Sequence, residues 1–571
     1  MTTGEPDAPV RRSWAQVHER ALRVAASLRA DLRPGDVVAV LAADPALVAP
    51  AAQAAWLSGC AVTMLHQPTP RTDLQQWASD ALRTLRTVGA RTVLLGSPFE
   101  QLAEVLDQHG VAHRGLDGLL EPEPAADLPD PASLPEETTA LLQLTSGSTA
   151  EPKAVRITHG NLGANIDGIV SGGEVDPARD VLVSWLPLFH DMGMVGCLAL
   201  PMTLGLEAVK VTPADFLARP LLWPELISRY GGTVTTAPNF AYAITGRRMA
   251  GCEDGTVDLS SLRFALNGAE PVDPTAVRAF TAAGARFGLR PECVTCAFGM
   301  AETTLAASFA PLRRGLEVDV VDPGALEQAG RAVPVQGGAD GAASPDQPAS
   351  PDQPASPDQP AGTDQPAGTD QPAGTDRSRQ FALLGRPLPG IELGLAVGAR
   401  VLPREQAPER EVGELLVRGT SVTTEYLTAD GSVPTRDEHG WLHTGDDGYF
   451  VDGQLVICGR RKDVIIVGGR NLYPADIERA ACEVDGVRAG NAAAVRWAAG
   501  DRRERFAVLV ESRSAGDEDA DKQLRRRVAS RVVDAVGARP AAVVVLGPGS
   551  LPKTPSGKLR RAAAAELVPD R

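Results

Sequence analysis

From residue 14 onward the apolar positions keep changing their period. WAQVHERALRVAASLRADL carries its apolar residues at helical spacing, and after the turn RPGD the run VVAVLA reads as a buried strand. ALVAPAAQAAWLSGCAV repeats that helix-to-strand logic, and ASDALRTLRTVGA followed by RTVLLG repeats it again. Alternation of this kind predicts an α/β fold with a largely parallel sheet covered by helices. TALLQL is one more apolar strand, running straight into Thr145.

The pattern breaks at 338–379, where SPDQPA occurs three times and GTDQPA twice. A period of six raises the possibility of a β-solenoid, but these repeats offer only Ala and Pro to bury. Such a segment cannot offset its ordering entropy, so it is expected to be a disordered insertion. Strand-like pieces after it, EVGELLVRG and GQLVICG, predict a small β-rich, barrel-like subdomain. A boundary is expected near GRRKD, dividing a large unit at 1–459 from a small α+β unit at 460–571. The small unit reads helix (ADIERAACEV), strand (NAAAVRW), strand (RFAVLVES), helix (DKQLRRRVASRVVDAV), strand (AAVVVLG).

Composition narrows the function classes. A chain of 571 residues is long for one core, and its net charge of −16 opposes nonspecific binding to nucleic acid or to an anionic membrane surface. An anionic substrate would therefore need local cationic help. The run RRR at 525–527 is expected to be a solvated helix face. Seven cysteines are sparse, and the pair Cys293 and Cys296 has no second Cys pair or His cluster to complete a zinc site, so ordinary burial is expected. The opening MTTGEPDAPVRRSW has no apolar core, and no later run has membrane-spanning length; membrane insertion is not expected, and the expected compartment is the cytoplasm.

Candidate chemistry begins where TALLQL ends. LTSGSTAEPK packs hydroxyls at Thr145, Ser146, Ser148 and Thr149 and a free backbone at Gly147 ahead of the ammonium of Lys153. Amides, hydroxyls and one cation would suit a polyanion, while a surface linker explains this stretch equally well by itself. The Walker spacing GxxxxGK[ST] is absent.

Further stretches decide between these. WLPLFHDMG (185–193), LNGAEPV (266–272), FGMAETT (298–304), HTGDDGYF, GQLVICGRRKDVIIVGGRNLYPADIE and PKTPSGKLRR (552–561) follow in order. Together with TSGSTAEPK this set resembles the adenylate-forming superfamily over nearly the whole chain. SWLPLFHDMG, TAPNFAYAI, VDPGALEQAGRAVP and GRNLYPADIE are most similar to its fatty acyl-AMP ligases, near relatives of the acyl-CoA synthetases. Two positions where glycine is common in the family hold Ala150 and Ala154, which stiffens the loop.

The resemblance implies roles for individual residues. Thr145, Ser146, Gly147, Ser148, Thr149 and Lys153 would wrap the ATP phosphates. Gly268, Ala269, Glu270, Gly299, Met300 and Ala301 would flank the nucleotide. Phe298, where the family usually has tyrosine, would stack near adenine. Asp446 would hold the ribose hydroxyls, Arg460 would contact ribose or phosphate, and Glu302 would hold Mg²⁺. Lys558 would offset charge at the α-phosphate, with His190 beside the acyl carboxylate. Met192, Gly193, Ala237, Asn239, Phe240 and Met300 would line the acyl pocket, and Lys462 would be the hinge on which the small mobile unit turns. The implied activity is ATP-dependent activation of an apolar carboxylic acid to acyl-AMP, followed by transfer to the phosphopantetheine thiol of an acyl carrier protein. Free CoA or a non-thiol nucleophile is the alternative acceptor. The family's carrier-protein branch has an inserted segment, for which the interval from Tyr426 to His443 is short.

Overall fold

A computed structural model describes residues 1–68, 73–120, 128, 133–145, 152–335, 378–497, 505–553 and 559–569. The alternating pattern of the first hundred residues becomes helices Trp14–Arg29, Pro45–Leu57 and Leu74–Val88 between strands Val37–Leu41, Ala61–Met64 and Ala90–Leu95. The first helix starts where Ser13 accepts from the Gln16 amide and Gln16 reaches back to the Ser13 amide, a reciprocal cap. Its apolar stripe, Val17, Ala21, Val24, Ala25 and Leu28, is buried.

Two large sheets carry the fold. In the first, strands Glu207–Lys210, Val181–Ser184, Val234–Ala237, Phe264–Asn267 and Val294–Gly299 are neighbours in that order and run parallel. Strand Ala306–Phe309 then joins antiparallel. In the second, the order runs from hairpin Gly431–Pro434 and Glu425–Thr428 through Lys153–Thr158 and Thr139–Thr145 to the parallel strands Ala61–Met64, Val37–Leu41 and Ala90–Leu95. Parallel sheets buried on both faces read as continuous apolar runs, which is why VVAVLA and TALLQL were legible.

The β-rich part differs from the barrel expected of it. Strands Ile391–Val397, Arg400–Pro403, Gly413–Gly419, Leu442–Val451 and Gln454–Arg460 form an antiparallel five-stranded sheet with Arg400–Pro403 and Gln454–Arg460 at its two edges, so it is open. Short strands with alternating burial serve an open sheet as well as a closed one, and closure depends on strand number and tilt that local pattern does not carry.

The repeat insertion lies outside the described residues except at its end. There Arg379, expected within it, instead begins strand Arg379–Ala382, which pairs with Val318–Val321. Beyond Arg460, strands Ala492–Trp497, Arg505–Glu511 and Ala542–Leu546 make a three-stranded sheet covered by helices Pro474–Cys482 and Glu518–Val536. Ile477, Phe506, Val508, Leu524 and Val528 form its core. Arg525, Arg526 and Arg527 are exposed on helix Glu518–Val536, and Cys293 and Cys296 are buried thiols that burial pushes up to about 12. Among the described residues no helix is long and apolar enough to cross a membrane.

Candidate active site

Parallel strands from both sheets end at one cleft: Thr145 closes Thr139–Thr145, Asn267 closes Phe264–Asn267 and Gly299 closes Val294–Gly299. Ligands of open α/β sheets bind at such carboxyl ends, where backbone leaves the sheet and side chains converge. The cleft is lined by Thr145, Lys153, Gly268, Ala269, Glu270, Phe298, Gly299, Met300, Ala301, Glu302, Asp446 and Arg460. His190, Met192, Asn239, Phe240 and Lys462 line it too. Ser146, Gly147, Ser148, Thr149 and Lys558 lie outside the described residues.

Two expected acyl-pocket residues sit elsewhere. Gly193 and Ala237 are buried behind the lining. A Cβ on Gly193 would stand 2.0 Å from the Pro187 carbonyl oxygen, so only glycine fits at this backbone contact.

Sterics shape the strand-end wall. At the shift of register between Phe298 and Gly299, the Met300 amide donates to the Leu305 carbonyl (2.9 Å), and a Cβ on Gly299 would meet that same oxygen at 2.0 Å. Ala269 has φ +67, a left-handed conformation that costs a non-glycine residue about 1–2 kcal/mol. Its neighbour Glu270 accepts the Phe240 amide (2.6 Å) at the start of helix Asn239–Met249, where the helix dipole favours a carboxylate. Asn239 Oδ1 accepts from Asn267 Nδ2 (3.2 Å) and from the Asp273 amide (3.1 Å), tying the same helix start to the strand end.

The polar end of the cleft holds two buried carboxylates and three cations. Tyr426 donates its hydroxyl to Glu302 Oε1 at 2.7 Å, while the Lys153 ammonium stands 3.9 Å from the centre of the Tyr426 ring. Thus Tyr426 joins the loop lysine to the expected metal carboxylate. Sequence reasoning missed it, because the hydroxyl and the carboxylate are 124 residues apart and are brought together by tertiary contacts such as the Thr423 amide donating to the Glu302 carbonyl (2.8 Å). Burial pushes the Asp446 carboxyl up to about 6; Arg460, with Nε 3.1 Å away, opposes the rise and the nearby charge of Glu302 adds to it. The Lys462 ammonium is held below its ordinary value by burial first and by Arg460 next, with Lys153 contributing. Arg460, Lys462 and Lys153 therefore share a field in an otherwise acidic chain, the local cationic help that an anion needs. Among the described residues Thr145 Oγ1 is buried with no hydrogen-bond partner.

At the other end His190 Nδ1 is 2.6 Å from Asp191 Oδ1, and Asp191 also accepts the Met192 amide (2.7 Å) where the π-helical turns Met192–Ala199 begin. His66, absent from the sequence reading, also lines the cleft; burial drops it to about 4 and His190 adds to the shift, so it is neutral. No motif surrounds His66 that would have marked it. Asp463, Asp476, Glu478, Asn491, Lys553 and Arg561 supply the facing wall. Arg561 bridges Asp463 (3.1 Å) and Glu478 (2.9 Å), and Lys553 Nζ donates to Asn491 Oδ1 (2.8 Å). Lys553 and Leu559, which bracket residues 554–558, pair with each other and both line the cleft.

Comparison with known proteins agrees with this geometry. A profile for AMP-binding enzymes matches residues 4–337. The chain belongs to the AMP-binding enzyme family. Among relatives of this AMP-binding enzyme, the putative ligase Rv1013 of Mycobacterium tuberculosis is 47% identical over 100% of this chain and 96% of its own length. The long-chain-fatty-acid–AMP ligase FadD26 of Mycobacterium marinum is 31% identical over 97% of this chain and 91% of its own. A solved structure from work on the fatty acyl-adenylate ligases of E. coli and L. pneumophila superposes with a TM-score of 0.79 at 28% identity, covering 98% of this chain and 92% of that one.

Proposed function

We propose that this AMP-binding enzyme converts an apolar carboxylic acid and ATP to acyl-AMP and pyrophosphate, then transfers the acyl group to a carrier-protein thiol. The observation that carries the reading is the convergence on one cleft of two buried carboxylates, Glu302 and Asp446, with the cations Lys153, Arg460 and Lys462. Phe298 offers its ring to adenine, and the carboxylate of Asp446 accepts both ribose hydroxyls. Lys153 and the hydroxyl loop at 145–149 take the β- and γ-phosphates.

Oxygen donors at the phosphate end fit a hard cation. Glu302 keeps a second carboxylate oxygen beside the one bonded to Tyr426, and Thr145 Oγ1 has no partner among the described residues. Glu302 would hold Mg²⁺, which when bound neutralises phosphate charge. A carboxylate oxygen of the acid, set beside His190, attacks the α-phosphorus, and the bond to pyrophosphate breaks. The Lys558 ammonium offsets the charge that develops there. In the second step thiol sulfur attacks the acyl carbon and AMP leaves; the thiol proton passes to solvent. The unit at 460–571 turns about Lys462 between the two steps, bringing the Gly468–Gly469 turn to the cleft.

The test is acid-dependent exchange of labelled pyrophosphate into ATP. Lys558→Ala should lower it about 10²–10³-fold, the scale of a lost donor to transition-state charge, with the thermal transition unmoved. Exchange that survives at full rate in this variant, or fails with every acid in the native enzyme, defeats the reading. Efficient acyl-CoA formation from free CoA, with carrier proteins ignored, would replace the acceptor.

A further inference from the structure

Behind the catalytic end, the cleft continues as an apolar branch along one face of the first sheet. Leu182, Val234 and Phe264 are paired across three neighbouring strands and line it as one row. Thr236 and Leu266 form the next row, one pleat nearer Gly268 and Met192. Ile169 from helix His159–Gly173 and Leu305 from the loop after Glu302 face them.

The branch has an end. Phe264 and Phe309 both line it, their ring centres 5.8 Å apart and tilted by 55°. Behind them the helix finishes in Gly172 and Gly173. A Cβ on Gly173 would be 3.2 Å from the Phe264 ring, and one on Gly172 would be 3.2 Å from the Phe309 ring. The two glycines let the rings press against the helix end, and both rings are almost fully buried. From Gly268 at the mouth to Phe264 is four residues of strand, ~13 Å at the usual rise. Carbon–carbon bonds of ~1.5 Å at tetrahedral angles advance about 1.25 Å each, so this depth takes about ten carbons in extended form.

We propose that Phe264 and Phe309 form the end wall of the acyl site and restrict this enzyme to medium-chain acids of about eight to twelve carbons. The inference rests on the acyl-activation reading above and adds the length of its substrate. A longer chain must displace the paired rings, and a shorter one leaves apolar wall uncovered.

Pyrophosphate exchange across straight-chain acids of about four to about eighteen carbons tests it, with kcat/KM as the readout. Native enzyme should peak at about eight to twelve carbons and fall about tenfold or more by sixteen. Phe264→Ala should move the peak to longer acids by about two to four carbons, and Ile169→Phe should move it to shorter ones. If Phe264→Ala does not fold, Phe309→Leu and Ile169→Phe carry the test in opposite directions. A native profile flat to about eighteen carbons, or a peak unmoved in all folded variants, overturns the proposal while leaving acyl activation standing. Absence of exchange with any acid overturns the functional reading itself.

Discussion

The two walls of the cleft are built by different physics. The strand-end wall, from Asn267 to Thr304, is set by backbone contact: Gly299 against the Leu305 carbonyl, Ala269 in a left-handed turn, Glu270 on a helix start. The facing wall, which includes Arg460, Asp476, Glu478 and Arg561, is held by charge. Arg379 meets Asp476 at 2.9 Å, Arg561 meets Asp463 and Glu478, and Arg470 pairs with Glu327. Hard-sphere contacts offer one arrangement, whereas ion pairs exchange partners and are weakened by salt. On the proposed function, the first would serve as a fixed nucleotide platform and the second as the wall that moves between two half-reactions in one cleft.

The largest effect should come from breaking the charged wall on one side only. Asp476→Ala leaves Arg379 buried between Phe381 and Tyr473 without its carboxylate, and the 460–569 unit should lose about 3–5 kcal/mol of protection in hydrogen exchange. Replacing both partners, as in Arg379→Met with Asp476→Leu, should restore most of it. If the single change were silent, the charged wall would not be what docks this unit.

Asp446 links the two walls through pH. Burial raises its folded carboxyl from the 3.8 of a free aspartate to about 6, so its contribution to stability is full below 3.8 and is lost as pH rises through 6. The amount is about 3 kcal/mol at most, and Asp446→Asn should be the more stable protein above pH 6 by thermal unfolding. On the proposed function nucleotide binding runs the other way, since the ribose hydroxyls would donate to the ionised carboxylate. Affinity should fall about tenfold per pH unit below 6 in calorimetry and lose that slope in Asp446→Asn.

Gly299→Ala tests the steric wall. Its Cβ would collide with the Leu305 carbonyl, costing about 1–3 kcal/mol in chemical denaturation and displacing Met300 and Ala301, with weaker nucleotide binding. The smallest change sharpens the contrast within the polar end. Tyr426→Phe removes the bond to Glu302 and keeps the ring under Lys153, so Mg²⁺ dependence should weaken about 10–100-fold while metal-free nucleotide affinity holds. Equal loss of both would mean that Tyr426 serves only the packing.

Some of this was legible one residue at a time. Trp14–Arg29 and Val37–Leu41 follow from period and buried run, and Cys293 and Cys296 from the lack of partners in the sequence. Gly299, Glu302 and Asp446 were found through the motifs that carry them, and they meet in one cleft. Gly193 packs against the Pro187 carbonyl, and a glycine inside a motif looks the same whether it faces a ligand or a carbonyl. Arg379 was assigned to the insertion, since nothing local to a residue says that its strand pairs with Val318–Val321.

By itself the sequence determined the α/β alternation, the repeat interruption and which residue types each motif carries, since periodicity and residue type act within a few positions. Only the tertiary structure decided that the β-rich sheet stays open, that His66 lines the cleft, that Tyr426 bonds Glu302, and that the rings of Phe264 and Phe309 pack together. Those outcomes depend on pairing between strands far apart in the chain, such as Glu425–Thr428 beside Lys153–Thr158. A contact across hundreds of residues leaves no mark on the local pattern of either partner.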